Sequence, residues 1–372
     1  MRMGLRVLEI TLSAAIGGGP EHVDQLLRNL PSDVETLVAA PRDYPYWERY
    51  AARVGASKML QLPHRRFRPG ALLALARFAR ARHVDILHSH GKGAGLYGRL
   101  ASLLTGIPCV HTFHGIHIGG MGRIGRAAYL RLETFLGRRT ARCIAVSRGE
   151  RDQALSLGFA PSSSLRLIEN GVALSSSPRE AVFPEARPCS VVQATRFDYA
   201  KNSGLLVDVA RALRDFGRLD DFVFTLLGDG NGREEVRQAA EAAGVAHRFV
   251  FKGMVEDVRP FLREAFCYLS TSRWEGLPLS VLESLAEGLP VVASDVVGNR
   301  DCVRPGKVGF LYPLDSPRQA AEALLTLRDA PTLWVAFSRN ASQECARLYD
   351  VALMAEKIRS VYEEVRAERC PC

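Results

Sequence analysis

The chain alternates short runs of β-branched and aliphatic residues with longer amphipathic stretches along its whole length. The first examples are the run Leu5–Thr11, the amphipathic stretch Pro20–Leu30 and the run Val34–Ala40. Strand-length apolar runs that alternate with helix-length patterns are typical of right-handed βαβ units built on a parallel sheet. The sequence therefore predicts an α/β fold.

This alternation occurs twice, and residues 170–188, which are rich in Ser, Pro and Ala and lack periodicity, separate the two halves. A chain of 372 residues is too long for one ordinary hydrophobic core, so two domains are expected. Parallel doubly wound sheets bind ligands beyond the carboxyl ends of their strands. We therefore expect two Rossmann-like, doubly wound domains, residues 1–178 and 188–345, that face a central cleft.

The positive charge is concentrated in the first half of the chain. Residues 1–175 contain 24 Lys and Arg against 12 Asp and Glu, whereas the remainder contains 25 against 28. Nucleic acid, an anionic membrane and a phosphorylated substrate all suit a basic surface, and charge alone does not choose among them. No segment resembles a membrane span or a signal peptide, so we expect a cytoplasmic protein.

Two glutamates eight positions apart provide the strongest motif. Glu275 lies in a Gly-Pro loop after a predicted strand, and Glu283 lies in the helix that follows. Carboxylates so placed can accept hydrogen bonds from hydroxyl pairs on two parts of one ligand, such as a sugar and a ribose. The backbone N–H groups of residues 276–279 open the helix and can face phosphate or sugar oxygens. Isolated glutamates are more commonly solvated, so the surrounding residues decide the interpretation.

The segment from Arg273 to Glu283 resembles the E-x7-E signature of retaining glycosyltransferases of family 4, which have the GT-B fold. Further segments resemble that family's motifs in the order in which the family has them: Gly17–Glu21, Asp85–His90, His111–Gly115, Ala145–Ser147, Ile168–Val172, Arg196 with Lys201, and Gly228–Gly230. The resemblance extends over about the whole chain and implies a C-terminal helix over residues 346–372 that crosses back to the first domain.

The resemblance also implies roles for individual residues. Arg196 and Lys201 would hold the donor's diphosphate and stabilise the charge that grows on it, although such a pair alone is more commonly a solvated loop. Glu275 and His114 would position the transferred sugar, and Glu283 would bind the ribose. The remaining donor-binding residues would be Gly18, Gly19, Gly253, Met254, Gly276, Leu277 and Pro278.

Two positions depart from the family pattern. Asn202 follows Lys201 where the family usually has Gly, so the phosphate-binding loop is expected to be less flexible. Pro20 lies inside the glycine-rich segment, and proline suits the first turn of a helix.

A histidine-rich region raises the question of a metal. His88, His90, His111, His114 and His117 lie near two predicted strand ends, which suggests zinc. No Cys or carboxylate stands at ligand spacing beside them, and the chain has no D-x-D pair of the kind that holds Mn²⁺ in metal-dependent glycosyltransferases. We therefore expect no metal and no cofactor, with the nucleotide sugar acting as a substrate.

Basic residues with interleaved aromatic and aliphatic ones form two clusters. The candidate membrane- or acceptor-facing residues are Arg65, Arg66, Arg68, Arg77, Arg80, Arg123 and Arg126, and the second cluster continues through Arg131, Arg138, Arg139 and Arg142. Such clusters suit an anionic inner-membrane face or a lipid-diphosphate acceptor. An ordinary amphipathic helix with a solvated polar face explains the same pattern equally well.

Taken with the resemblance, these features predict a retaining hexosyltransferase that is peripheral on the cytoplasmic face of the inner membrane. It would move a sugar from a UDP-linked donor to a lipid-linked or polysaccharide acceptor in the synthesis of lipopolysaccharide, capsule or exopolysaccharide. A UDP-sugar epimerase of the same architecture and a non-catalytic sugar-nucleotide-binding scaffold are the alternatives. A nucleic-acid binder is a third, but the chain has no recognised module for it, so no nucleic-acid partner is expected.

Overall fold

The computed structural model describes residues 4–174, 182–185 and 187–369. The chain divides into two compact units: unit 1 comprises Met1–Gly171 with Val351–Cys372, and unit 2 comprises Val172–Asp350. The expected end of the first domain, residue 178, lies outside the described residues. The return to unit 1 comes at residue 351 and not at 346, because the preceding helix continues to Leu348.

Unit 1 is built on a seven-stranded parallel sheet with the order β3-β2-β1-β4-β5-β6-β7. Its strands are β1 (Leu5–Ile10), β2 (Val34–Ala40), β3 (Met59–Gln61), β4 (Ile86–His90), β5 (Cys109–Thr112), β6 (Arg142–Ala145) and β7 (Leu165–Leu167). Its first six helices are α1 (Gly18–Asn29), α2 (Tyr46–Val54), α3 (Pro69–Ala81), α4 (Gly91–Thr105), α5 (Arg123–Gly137) and α6 (Arg148–Ser156). The strand order reverses between β1 and β4, which is where doubly wound sheets bind ligands.

Unit 2 repeats this plan with a six-stranded parallel sheet in the order β10-β9-β8-β11-β12-β13. Its strands are β8 (Cys189–Ala194), β9 (Phe222–Leu227), β10 (Phe249–Gly253), β11 (Cys267–Ser270), β12 (Val291–Ser294) and β13 (Gly309–Tyr312). Its helices are α7 (Leu205–Asp215), α8 (Arg233–Ala242), α9 (Arg259–Glu264), α10 (Leu279–Ala286), α11 (Asn299–Cys302), α12 (Pro317–Asp329) and α13 (Pro331–Leu348). Here the order reverses between β8 and β11.

The last helix, α14 (Val351–Arg369), completes the core of unit 1. Its apolar face follows helical spacing, and Met354, Ile358 and Tyr362 are buried in one cluster with Leu5 and Val7 of β1. Unit 1 therefore contains the two ends of the chain, and unit 2 is one continuous segment.

Every strand that the apolar runs predict is present. The edge strand β3, Met59–Gln61, is not predicted, because three residues with one polar member give no readable period. Among the described residues, none of the helices combines the length and apolar composition that crossing a membrane requires.

Candidate active site

In unit 2 a lysine and a glutamate meet at the point where the strand order reverses. Lys201 lies in the loop after β8, Glu275 lies in the loop after β11, and these two strands are neighbours in the sheet. Lys201 Nζ donates a hydrogen bond to Glu275 Oε1 at 2.6 Å, and Ser272 Oγ donates to the same oxygen at 2.7 Å. The Lys201 and Glu275 side chains are 20% and 14% exposed, so the ion pair is partly buried and holds both groups in place.

The backbone of this lysine loop is tied to the loop after β11. Thr271 Oγ1 donates to the carbonyl oxygen of Lys201 at 2.8 Å, and the Arg273 N–H donates to the carbonyl oxygen of Ala200 at 2.8 Å. Asn202 has φ of 52°, in the left-handed region, and its Oδ1 accepts a hydrogen bond from Arg273 Nη1 at 2.7 Å. Asparagine tolerates this conformation better than other non-glycine residues. The departure from glycine therefore keeps a glycine-like backbone and adds a contact.

Arg196, on the same loop, has a buried donor with no partner. Its Nη2 pairs with Asp198 Oδ2 at 2.8 Å, but its buried Nε meets no hydrogen-bond acceptor within the part of the chain that the structure describes. A buried donor without a partner is uncommon in a folded protein, and an oxygen of a ligand can accept a hydrogen bond from it. Arginine and lysine on one loop are the donors that suit an anionic diphosphate.

Two glycines let the turn after β9 pack directly against the arginine loop. A Cβ at Gly228 would lie 1.9 Å from the carbonyl oxygen of Thr195, and one at Gly230 would lie 1.7 Å from that of Arg196. Their φ angles are 122° and 150°, which side chains rarely adopt. Glycine is therefore required at positions 228 and 230, because any side chain there would collide with the backbone of the arginine loop.

The other donor-site candidates of unit 2 also follow carboxyl ends of its strands. Gly253 ends β10 with φ of 69° and its carbonyl oxygen accepts from the Gly228 N–H at 2.7 Å, while Met254 beside it is 56% exposed. Residues 276–278 are buried and lead into α10, and Glu283 is partly buried in the second turn of that helix. The structure thus places these candidates along the same edge of the sheet as Lys201.

In unit 1 the candidates lie after β1 and β5. Gly18 and Gly19 are the first two residues of α1, with Pro20 in its first turn, so the glycine-rich segment is helical and not a free loop. His114 follows β5 and has φ of 61°. A non-glycine residue held in this sparsely populated region is common at functional sites, where the surrounding structure over-determines it.

A buried carboxylate lies among the histidines, which corrects the expectation that none stands beside them. Glu9 of β1 is fully buried, and its Oε2 lies 2.7 Å from His90 Nε2 and 3.1 Å from His88 Nδ1. Its other oxygen accepts a hydrogen bond from the Tyr362 hydroxyl at 2.9 Å. On the far side of His90, Nδ1 lies 3.1 Å from His114 Nε2. These contacts link β1, β4, α14 and the segment after β5.

The network fixes the charges of its members. Burial acts to raise the pKa of Glu9, but the charge of His88 and the hydrogen bonds of His88 and His90 outweigh it and hold that pKa well below its usual range. Burial lowers the pKa of His90 to about 4, and burial together with neighbouring imidazoles lowers the pKa of His22 and His114 well below the usual value. Glu9 is therefore ionised and these imidazoles are neutral at pH 7.

The candidate membrane-facing residues are all exposed: Arg65, Arg66, Arg68, Arg77, Arg80, Arg123 and Arg126. Arg142 of the second cluster is not exposed, because it lies buried in β6 and pairs with Glu364 at 2.9 Å and with Glu368.

Helix α5 presents an apolar stripe to solvent. Ile124 is 87% exposed, and Leu132 and Phe135 on the same face are about half-exposed.

The chain matches two models of known protein families. The model described as "Glycosyltransferase Family 4" matches residues 16–176, and the model described as "Glycosyl transferases group 1" matches residues 188–329. The two matches together take in most of both units.

Named relatives agree with these matches. The chain is 26% identical over 304 residues, 78% of each chain, to the UDP-Gal:alpha-D-GlcNAc-diphosphoundecaprenol alpha-1,3-galactosyltransferase of Escherichia coli. It is 29% identical over 368 residues, 94% of this chain and 93% of the relative, to the phosphatidyl-myo-inositol mannosyltransferase of Mycobacterium leprae. Among solved structures, Anabaena Alr3699/HepE in complex with UDP and glucose superposes with a TM-score of 0.82 at 18% identity, covering 97% of this chain and 100% of that one. This last likeness establishes the GT-B fold.

Proposed function

Because the chain belongs to the family 4 type of glycosyltransferases with the GT-B fold, we propose that it transfers a sugar from a UDP-sugar to a hydroxyl of a lipid-linked saccharide. The observation that carries this assignment is the partly buried Lys201–Glu275 ion pair beside the unpartnered donor of Arg196. UDP is favoured as the nucleotide because the E. coli relative is named for a UDP-linked donor.

The leaving diphosphate is the group that these cations recognise. Lys201 has three N–H donors and uses one on Glu275, so it can hold a phosphate oxygen without losing that partner. Arg196 Nε supplies a further donor. As the bond from the sugar to the diphosphate breaks, negative charge grows on the diphosphate, and fixed cations stabilise it more in the transition state than in the bound donor.

We propose that the transfer retains the anomeric configuration and needs no metal. The acceptor oxygen attacks the sugar carbon on the face that the diphosphate leaves, and the acceptor's proton passes to a diphosphate oxygen. Lys201 and Arg196 take the place that Mn²⁺ holds in metal-dependent glycosyltransferases. Glu275 accepts hydrogen bonds from sugar hydroxyls while it keeps Lys201 in position.

A lipid-linked acceptor fits the exposed face of α5. The stripe of Ile124, Leu132 and Phe135 is flanked by exposed arginines, and the Arg139 guanidinium lies 3.9 Å from the centre of the Phe135 ring. An apolar stripe with basic flanks inserts into the interface of anionic lipid, as peripheral membrane helices do. We infer that the protein works at the cytoplasmic face of the inner membrane, in the synthesis of a cell-surface glycan.

Two measurements test this function. Thermal unfolding with UDP, GDP, ADP or dTDP, and then with their sugars, identifies the donor, because a ligand at 100 times its Kd adds about 2.7 kcal/mol of stability. The stabilising sugar nucleotide is then incubated, with EDTA present, with lipid-linked saccharides extracted from membranes. We expect sugar to be transferred to lipid with the donor's anomeric configuration. An inverted product, a rate that EDTA abolishes and Mg²⁺ or Mn²⁺ restores, or conversion of the donor sugar without any acceptor would contradict the proposal.

A further inference from the structure

We propose that unit 1 binds a zinc-like transition-metal ion through His22, His90 and His114. One ring nitrogen from each of these residues lies within 4.8 Å of the others. The rings come from three separate elements: His22 from α1, His90 from the end of β4 and His114 from the segment after β5. The His22 and His114 ring centres are 4.5 Å apart, and His90 Nδ1 and His114 Nε2 are already 3.1 Å apart.

His22 is the residue that points to a missing ligand. It is 1% exposed, and neither of its ring nitrogens makes a hydrogen bond of good geometry with the described residues, although the Asn170 side chain lies beside it. A buried polar group without a partner is costly, and apolar side chains would fill the same space without that cost. Coordination of a metal ion gives one of these nitrogens a partner.

His90 is already oriented as a metal-bound histidine would be. Its Nε2 lies 2.7 Å from Glu9 Oε2, and when Nε2 donates to that carboxylate, Nδ1 keeps its lone pair on the side of His114, 3.1 Å from His114 Nε2. A carboxylate on the outer nitrogen is the usual support of histidines that bind zinc, because it fixes the tautomer and raises the basicity of the inner nitrogen. Glu9 is distant from the histidines in sequence, and only the fold places its carboxylate beside them.

His114 supplies the third nitrogen and the access to the site. Its Nε2 lies 3.1 Å from His90 Nδ1, and it can offer that nitrogen to a metal when its own proton is on Nδ1. His114 is also partly exposed, which leaves an entry path and room for water as a fourth ligand.

Three imidazoles as ligands select the class of ion. Nitrogen ligands suit Zn²⁺, Co²⁺ and Ni²⁺, whereas Mg²⁺ and Mn²⁺ prefer oxygen. Tetrahedral zinc at about 2.0–2.1 Å from each nitrogen needs nitrogens about 3.3 Å apart, so the three rings, whose nitrogens lie within 4.8 Å of one another, have to draw together. Neither ring nitrogen of His22 has a hydrogen bond of good geometry that would oppose this movement. The ligands of this ion all belong to unit 1. The ion has no role in binding the diphosphate, which we assign to Lys201 and Arg196 of unit 2.

The test uses the full chain without a histidine tag, stripped of metal with EDTA and then freed of EDTA. Co²⁺ is titrated while its visible absorption is recorded, and Zn²⁺ binding is measured by calorimetry. We expect one equivalent of either ion, intense absorption bands of tetrahedral Co²⁺, and displacement of Co²⁺ by Zn²⁺. The H22L variant should bind Zn²⁺ more than about tenfold more weakly, and E9Q should lose about 10–100-fold in affinity.

The metal-free stability of H22L separates a ligand from a structural histidine. Since neither ring nitrogen of His22 makes a hydrogen bond of good geometry, H22L without metal should unfold at the same temperature as the wild type or higher. The matched control is H247L, which removes an exposed histidine and should bind Zn²⁺ like the wild type. Equal Zn²⁺ affinity in H22L and wild type would overturn the proposal. Octahedral Co²⁺ spectra, or a metal-free H22L that is clearly less stable than the wild type, would overturn it as well.

Discussion

Replacing Lys201 by methionine tests the diphosphate site most directly. Methionine keeps most of the length of the side chain and removes its charge, so the loop after β8 loses one donor and little volume. Glu275 keeps its hydrogen bond from Ser272 at 2.7 Å, so the K201M variant should still fold. The carboxylate of Glu275, however, then has no cation beside it, and it lies close to where the diphosphate would bind.

The size of the effect follows from the contacts. A hydrogen bond to a charged group contributes about 1.5–3 kcal/mol, and each 1.4 kcal/mol is a factor of ten in Kd. Lys201 already uses one of its N–H donors on Glu275, which reduces the binding energy that K201M loses. In K201M, however, the carboxylate of Glu275 has no cation beside it and repels the diphosphate. We expect the Kd of UDP to rise about 10–100-fold, and turnover to fall by about 10²–10³, the scale for one transition-state donor.

Calorimetric titration with UDP measures this change without knowledge of the acceptor. Adding E275Q to K201M removes the repelling charge, so the double variant should bind UDP more tightly than K201M alone. K307M is the matched control, since Lys307 also pairs with a nearly buried glutamate of unit 2, Glu344, but it precedes β13 at the opposite edge of the sheet. Arg304 remains 3.1 Å from Glu344 in that control, which should bind UDP like the wild type.

A K201M variant that binds UDP within about twofold of the wild type would refute the reasoning. A double variant that binds UDP more weakly than K201M would also refute it. Glu275 would then contribute to UDP binding by a favourable contact of its own, and not only by positioning Lys201. A K307M variant as defective as K201M would mean that lost stability, and not a lost phosphate contact, explains both.

Three further predictions concern other parts of the molecule. G230A should lose UDP binding while unit 1 stays folded, since its Cβ would lie 1.7 Å from the Arg196 carbonyl oxygen, and proteolysis with UDP titration checks both. I124D with F135D should lower flotation on anionic vesicles by more than tenfold and leave flotation on neutral vesicles unchanged; equal loss on both would argue against a basic membrane face. Urea unfolding should show stability falling as the pH drops from about 6.5 towards 4, because the unfolded chain then protonates histidines that the folded chain keeps neutral, about 1.4 kcal/mol per pH unit for each. H22L should flatten that slope, and an unchanged slope would mean that His22 is charged in the folded protein.

The architecture could be predicted from the sequence because most of the strands are local apolar runs and most of the helices are local amphipathic patterns. The positions of Lys201 and Glu275 could be predicted for a similar reason, since each lies a few residues beyond a strand end. What the sequence did not contain was the ion pair between them, which depends on β8 and β11 being neighbours in the sheet.

The histidine network shows what local patterns miss. Glu9 sits inside the apolar run of β1, and its partners His88 and His90 come about eighty residues later, so only the register of β1 against β4, with Glu9 opposite His88, brings them together. An ionisable residue inside a buried strand was the one available signal. His22 gave none, because a histidine in an amphipathic helix looks like any polar residue there.

Helix α5 shows a second limit. Its inward face carries Glu133, which pairs with buried Arg99 at 2.8 Å and 3.1 Å, while Ile124 faces solvent. Amphipathic patterns assume the reverse arrangement. The sequence therefore left the packing and the membrane interpretation of this helix equally open, and the contacts decide which face is inside.

The position of α14 has a consequence for the order of folding during synthesis. Tyr362 of α14 closes the core over β1 and bonds to Glu9, so unit 1 lacks part of its interior until the last helix has been made. Unit 2, residues 172–350, is translated in between and can fold as soon as it emerges. At about 5–20 residues per second, the nascent sheet of unit 1 waits roughly 10–40 s with one apolar face uncovered. Chaperones that bind nascent chains should therefore be needed for the first half of the protein and not for the second.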